Sequence, residues 1–356
     1  MALSMNSSNH IVFGWRRMPP PGFIGGAELT ESAFAQRLAT RWNVDFVGCS
    51  TDPRDVRRDS FEWLQTCCRS AGLTPPAGIP ASWTWRHVRC TLTTQPQLLQ
   101  TMKVRIANAA VVWTSQEGCA EIASLVSSDQ LLATYAHSAS EVGLLSASIG
   151  ANVVLAPSKY IQHLIQKRYG ILSELLRPPI EACTCPRQDP PDLRQILFVN
   201  PVRAKGLDLV AELIDALPDY RFVIVDGWET EQPLPCDTGD NVTRLTRRPD
   251  LHGTFLEASI VIVPSVVDDA APRIVTEAGL HHRPVIGSRR GGIPELVGSS
   301  RLLLPPDDAA SWIATIRQVT STWTSWREFA DAQQEWSMSL ESGDATVADI
   351  LETHLS

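Results

Sequence analysis

Twice along this chain, short apolar runs of strand length alternate with amphipathic stretches of helical period, and a proline-rich segment separates the two series. Such alternation constrains the fold more than any other feature. Parallel strands must be joined by crossovers, and a crossover helix has to bury its apolar stripe on the sheet it crosses. In the first series the spacing predicts strands over 10–15, 44–48, 109–114, 131–137 and 153–156, and helices over 27–42 and 158–169. Gly170 stops the second of these helices. In the second series it predicts strands over 195–200, 221–226, 260–264 and 284–287. Helices are expected over 207–217, 251–258 and 273–281, and again within 311–356. Residues 178–192 carry five prolines and little apolar character, as a linker does. The expected architecture is therefore α/β, with two doubly wound, Rossmann-like domains facing each other: 1–182, 193–325, and a helical segment 326–356 packing back on the first. Ligands of such sheets bind at the carboxyl ends of the strands, and the cleft between two of them is the natural site.

Charge and composition remove several functions. A formal net charge of -8 argues against nucleic-acid binding through bulk positive charge. No apolar run is long enough to span a bilayer, and Met1 to His10 lack the basic start and apolar stretch of a signal peptide. The expected location is cytoplasmic, with at most peripheral membrane contact. The eight cysteines form no CxxC pair and read as idle thiols.

Chemistry concentrates in the second half. Asp269 and Glu277 stand eight residues apart, one in the loop after a strand and one a turn inside the next helix. Pro272 suits the first helical position, where a missing N–H costs nothing. The amides of Arg273, Ile274 and Val275 would then face out of the helix end, an anion site favoured by the helix dipole. Arg203 and Lys205 lie between a strand and a helix, where two cations can hold a diphosphate and stabilise a leaving group. Gly25 and Gly26 follow a proline run and allow close backbone approach to phosphates or a sugar.

These segments resemble the GT4 family of retaining GT-B glycosyltransferases. Asp269 to Glu277 is similar to its E-x7-E motif, with Asp at the first position. Arg283-Pro284-Val285-Ile286-Gly287-Ser288 followed by Gly291-Gly292-Ile293-Pro294-Glu295 resembles the stretch after it. Phe198 to Gly206 resembles the loop of basic phosphate ligands, and Gly25-Gly26-Ala27-Glu28 the early glycine loop. The resemblance implies a nucleotide-sugar donor and no metal or other cofactor; UDP is the favoured nucleotide on general grounds alone. It implies that Glu277 binds ribose hydroxyls, Asp269 the donor sugar, and Lys205 and Arg203 the diphosphate. His137, at a strand's carboxyl end, would face the donor sugar across the cleft, and Arg248 would lie near the nucleobase. The absence of any Asp-x-Asp pair disfavours a metal-bound diphosphate, and no Gly-x-Gly-x-x-Gly follows a first strand.

The acceptor is not legible. Trp83 and Trp85 read either as an acceptor wall or as core, and Arg16 and Arg17 as surface charge or as ligands of an acidic acceptor or anionic lipid. His281 and His282 read as structural. Two other readings stay open: a GT-B enzyme of another reaction, such as an epimerase or a coupling synthase, and an inactive nucleotide-sugar-binding module.

Overall fold

A computed structural model of the chain describes residues 9–23, 25–49, 60–116, 118–180, 187–227, 240–248, 250–342 and 346–356. The chain forms two compact units, Met1–Pro179 with Asp344–Ser356, and Ile180–Gly343. Residues 181–186 of the linker expected at 178–192 lie outside the described residues, as do Arg54, Arg57 and Arg58.

In the first unit the order is β1 (His10–Gly14), α1 (Gly26–Leu38), β2 (Asn43–Cys49), α2 (Ser60–Ser70), β3 (Ala81–Trp85), β4 (Val88–Thr93), α3 (Leu98–Ile106), β5 (Val111–Ser115), α4 (Cys119–Ala123), β6 (Leu131–Tyr135), α5 (Glu141–Ser148), β7 (Val153–Ala156), α6 (Lys159–Tyr169) and β8 (Glu174–Leu175). The described strands form one sheet in the order β3-β4-β2-β1-β5-β6-β7-β8, parallel except for the β3–β4 pair. Its centre is aromatic: Phe13 stacks on Phe46 at 5.3 Å and on Trp113 at 5.2 Å, its register partners in β2 and β5. Local chemistry sets the ends of α6. The Ser158 hydroxyl accepts the Ile161 N–H at 3.3 Å, and Gly170 takes φ 68°.

The β3–β4 hairpin was not anticipated. Its turn residues, Arg86 and His87, both have positive φ, 46° and 67°. A two-residue turn of this hand is normally signalled by Asn or Gly, and neither is present. The hairpin also carries the two tryptophans. Trp85 is buried against Phe23 at 5.7 Å, and the Trp83 indole N–H donates to Pro20 O at 2.9 Å. Both therefore tie the hairpin to the proline-rich loop.

The second unit runs β9 (Gln195–Val199), α7 (Leu207–Ala216), β10 (Arg221–Val225), β11 (Val242–Leu245), α8 (His252–Glu257), β12 (Ile260–Val263), α9 (Arg273–Leu280), β13 (Val285–Ser288), β14 (Leu303–Leu304), α10 (Ala309–Val319) and α11 (Trp323–Ser342). Its described strands form a parallel sheet in the order β11-β10-β9-β12-β13-β14. The chain builds outward from β9 to β11, then returns to β12 on the other side of β9. The gap between β9 and β12 is thus the topological switch point, where the loops above the sheet diverge and leave a crevice.

The C-terminal segment is shared between the units. Residues 323–342 stay with the second, where α11 lies so close on α9 that a Cβ on Gly279 would fall 2.0 Å from Ser337 Oγ. The last helix, α12 (Val347–Leu355), joins the first unit: Val347, Ile350 and Leu351 enter its core, and Arg41 reaches Asp349 at 3.6 Å. Among the described residues no helix is long and apolar enough to cross a membrane.

Candidate functional site

Two loops leave the strands flanking the switch point of the second unit, and they are bonded to each other. After β9 the chain makes a 3-10 turn, Arg203–Lys205, then Gly206 at φ 88°. A Cβ on Gly206 would lie 2.2 Å from Pro264 O, so this glycine lets the β9 loop rest directly on the end of β12. The Val266 N–H donates to Ala204 O at 3.1 Å and locks the contact. It is here that the Lys205 ammonium meets the Asp269 carboxylate in a part-buried ion pair.

Asp269 is held on every side. Its second carboxylate oxygen accepts the Ser265 hydroxyl at 2.5 Å, and Ser265 is fully buried, its own carbonyl accepting from Ser288 Oγ at 2.7 Å. The Asp269 carbonyl accepts the Gly292 N–H at 2.7 Å. Gly291, at φ 55°, permits that wrap, because a Cβ there would meet Asp269 O at 2.3 Å. The glycine pair noted in the sequence thus cradles the backbone of the first carboxylate. Ser265 belongs to the Val263-Pro264-Ser265 stretch that precedes the motif, but a serine after an apolar strand carries no signal of this role.

Helix α9 starts at Arg273, one residue later than the proline suggested. Pro272 is its N-cap, with ψ 113° outside the helical range. The Val275 N–H is spent on Pro272 O at 3.1 Å, so the helix mouth is formed by Arg273 and Ile274. One turn on, Glu277 lies 3.2 Å from Arg273 Nε, a pair that lays the arginine along the helix. The Glu277 carbonyl accepts from His281 Nδ1 at 2.7 Å, which leaves His281 Nε2 to accept from His252 Nδ1 at 2.9 Å. Burial pushes the His281 pKa below the usual imidazole range, consistent with a neutral ring in this chain of bonds. Arg203 is exposed, 4.0 Å from Asp208, and Arg248 is exposed three residues beyond β11.

Behind the site, Arg283 is completely buried. Its guanidinium donates to Phe255 O at 2.7 Å, Leu256 O at 2.9 Å, Gln188 O at 2.9 Å and His282 O at 3.2 Å, and lies over the Trp326 ring. Burial lowers its pKa to about 10, with Asp189 opposing the shift.

In the first unit, Gly25 is extended and its N–H donates to Glu28 Oε2 at 3.1 Å. Glu28 also accepts from Arg17 at 3.0 Å. Gly26 opens α1. Arg16 pairs with Glu121. His137 lies two residues beyond β6 with Nε2 2.7 Å from the buried carboxylate of Glu31, a residue the sequence reading missed. The signal existed: Glu31 shares the helix face of Phe34, Ala35 and Leu38, where an apolar residue is expected.

Two doubly wound α/β units, one with a lysine, a carboxylate and a helix end at its switch point, define the GT-B class of fold. Solved structures agree. The chain superposes on the Anabaena protein HepE in complex with UDP-glucose with a TM-score of 0.73 at 16% identity, covering 97% of this chain and 99% of that one. Sucrose-phosphate synthase from Thermosynechococcus elongatus gives 0.73 at 17% identity, over 97% and 98%. Residues 194–322 match the family model described as glycosyl transferases group 1. The sulfoquinovosyl transferase SQD2 of Arabidopsis thaliana is 24% identical, the match covering 51% of this chain and 38% of that protein. The family match therefore lies within the second unit, over residues 194–322.

Proposed function

We propose that this protein is a retaining glycosyltransferase that moves a sugar from a nucleotide sugar, with UDP the favoured nucleotide, to an acceptor hydroxyl. The observation that carries the reading is the convergence of Lys205, Asp269 and the α9 mouth at one switch point. The donor diphosphate is assigned to Lys205, Arg203 and the amides at Arg273 and Ile274. Opposite charge and the helix dipole there stabilise the nucleoside diphosphate as it departs. Glu277, a turn deeper, suits the ribose hydroxyls, and Asp269 the hydroxyls of the transferred sugar. Arg248, beyond the edge strand, is assigned to the nucleobase region, and Gly25, Gly26 and His137 to the sugar. The bond from the anomeric carbon to the diphosphate breaks through an oxocarbenium-like state. The acceptor oxygen then bonds to that carbon, and its proton passes to the leaving phosphate. The similarity to proteins that carry UDP or UDP-glucose supports the choice of nucleotide.

Thermal stabilisation by UDP, GDP, dTDP and ADP tests the donor site. UDP is expected to raise the melting temperature, and both Lys205→Ala and Glu277→Ala to abolish the effect. Release of nucleoside diphosphate only in the presence of acceptor, with the anomer kept in the product, establishes transfer. Epimerisation of the donor, or stabilisation without any turnover, would assign the protein to another reaction or to a binding module.

A further inference from the structure

The first two turns of α1 bury Glu28, Thr30, Glu31 and Ser32, each no more than 2% exposed. A helix that only packs would place apolar residues there. Glu28 is accounted for by Gly25 and Arg17, and Thr30 by its bond to Gly26 O at 2.7 Å. Glu31 has no such local task. Its side chain is 1% exposed and meets the His137 ring, 7% exposed, with Oε1 2.7 Å from Nε2. The pair joins elements 106 residues apart in sequence. Tyr135 lies against the imidazole at 4.6 Å between ring centres and limits its tilt.

A buried carboxylate–imidazole pair is a poor device for stability alone, because an apolar pair of similar volume often serves as well or better. It does confer orientation. A carboxylate only accepts hydrogen bonds, so the imidazole nitrogen facing it must carry a proton. Flipping the ring or switching the tautomer would strand a buried carboxylate.

We propose that Glu31 is a positioning residue: it fixes His137 with Nε2–H directed into the protein, so that Nδ1 is the atom offered to a hydroxyl of the transferred sugar. Nδ1 of the neutral ring accepts the hydroxyl proton in a hydrogen bond, with no net proton transfer. The inference rests on the glycosyltransferase reading for the identity of the ligand, but not for the orientation of the ring.

The test uses the full chain labelled with 15N-histidine, with the His137 signals assigned by their loss in His137→Gln, followed by initial-rate kinetics. In the wild type, Nε2 of His137 is expected to be protonated and Nδ1 to give the signal of an unprotonated acceptor. Glu31→Gln offers a neutral acceptor of the same shape. It should keep that pattern and hold kcat within about fivefold. Glu31→Leu fills the space without an acceptor. It should mix the two tautomers and lower kcat by about 100-fold, with UDP affinity unchanged. An unaltered 15N pattern in Glu31→Leu, or equal kcat in the two variants, would overturn the proposal. Should Glu31→Leu not fold, a wild-type pattern with Nδ1 protonated overturns it, as does a loss of the wild-type pattern in Glu31→Gln. If none of UDP, GDP, dTDP and ADP stabilises the wild type, the glycosyltransferase reading falls, and the 15N spectra still decide what Glu31 does.

Discussion

Lys205 and Asp269 neutralise each other at the switch point of the second unit, and Ser265 occupies the carboxylate's other oxygen. The ammonium assigned to the donor diphosphate is therefore already engaged by the carboxylate assigned to the donor sugar. A donor diphosphate must compete for Lys205, and a sugar hydroxyl must share Asp269 with two existing partners.

Opposite effects on binding and turnover follow. Asp269→Asn removes the competitor for Lys205, so UDP should bind more tightly by about 1 kcal/mol, while transfer falls by about 100-fold or more. Calorimetric titration with UDP and initial rates measure the two. Looser UDP binding in Asp269→Asn would show that the carboxylate does not restrain the lysine.

Gly206 is required by both its backbone and its surroundings, at φ 88° with Pro264 O 2.2 Å from a Cβ. Gly206→Ala should destabilise the second unit by about 2 kcal/mol or more. It should also weaken UDP binding, because the β9 loop can no longer rest on β12. Thermal unfolding and UDP titration of one variant check both.

Arg283 satisfies carbonyls on both α8 and the 187–193 segment. Arg283→Met fills much of the volume but strands those acceptors and should cost about 3 kcal/mol. Chemical denaturation reads the loss. UDP affinity of the folded fraction should stay unchanged, since the guanidinium lies behind the site.

Acid should act on each unit through a different group. Asp45 is buried at 3% exposure among His10 at 3.4 Å, Arg89 and Arg105 at 3.6 Å. Burial raises its pKa, but the neighbouring His10 and the Arg89 guanidinium bonded to it outweigh this and hold it below the usual 3.8. A depressed carboxylate contributes stability that is complete above the unfolded pKa and is lost as pH falls through the folded one. The first unit should therefore weaken below about pH 4. His281 runs the other way in charge but the same way in pH. Its lowered pKa means the unfolded chain takes the proton first, so the second unit should begin to weaken as pH drops below about 6.5. Calorimetry from pH 8 to 3 should show the two losses in separate windows, the earlier one reduced by His281→Gln, with His282, also lowered by burial, supplying the remainder, and the later one reduced by Asp45→Asn.

Most strands and helices, the break near residue 180 and the paired acidic positions were legible in the sequence, because each is written in local period or spacing. The β3–β4 hairpin was not, since Arg86 and His87 adopt a conformation their side chains do not advertise. What the sequence by itself determined is the repertoire: parallel α/β units, a helix opening after Pro272, and cations and carboxylates on loops after strands. Only the tertiary structure decided which of these meet. Lys205 and Asp269 are 64 residues apart and Glu31 and His137 106 apart. Strand order in a parallel sheet is set by long-range pairing between near-equivalent apolar runs. Nothing in the local pattern of β9 states that β12, rather than β10 alone, will lie beside it and bring its loop to the lysine.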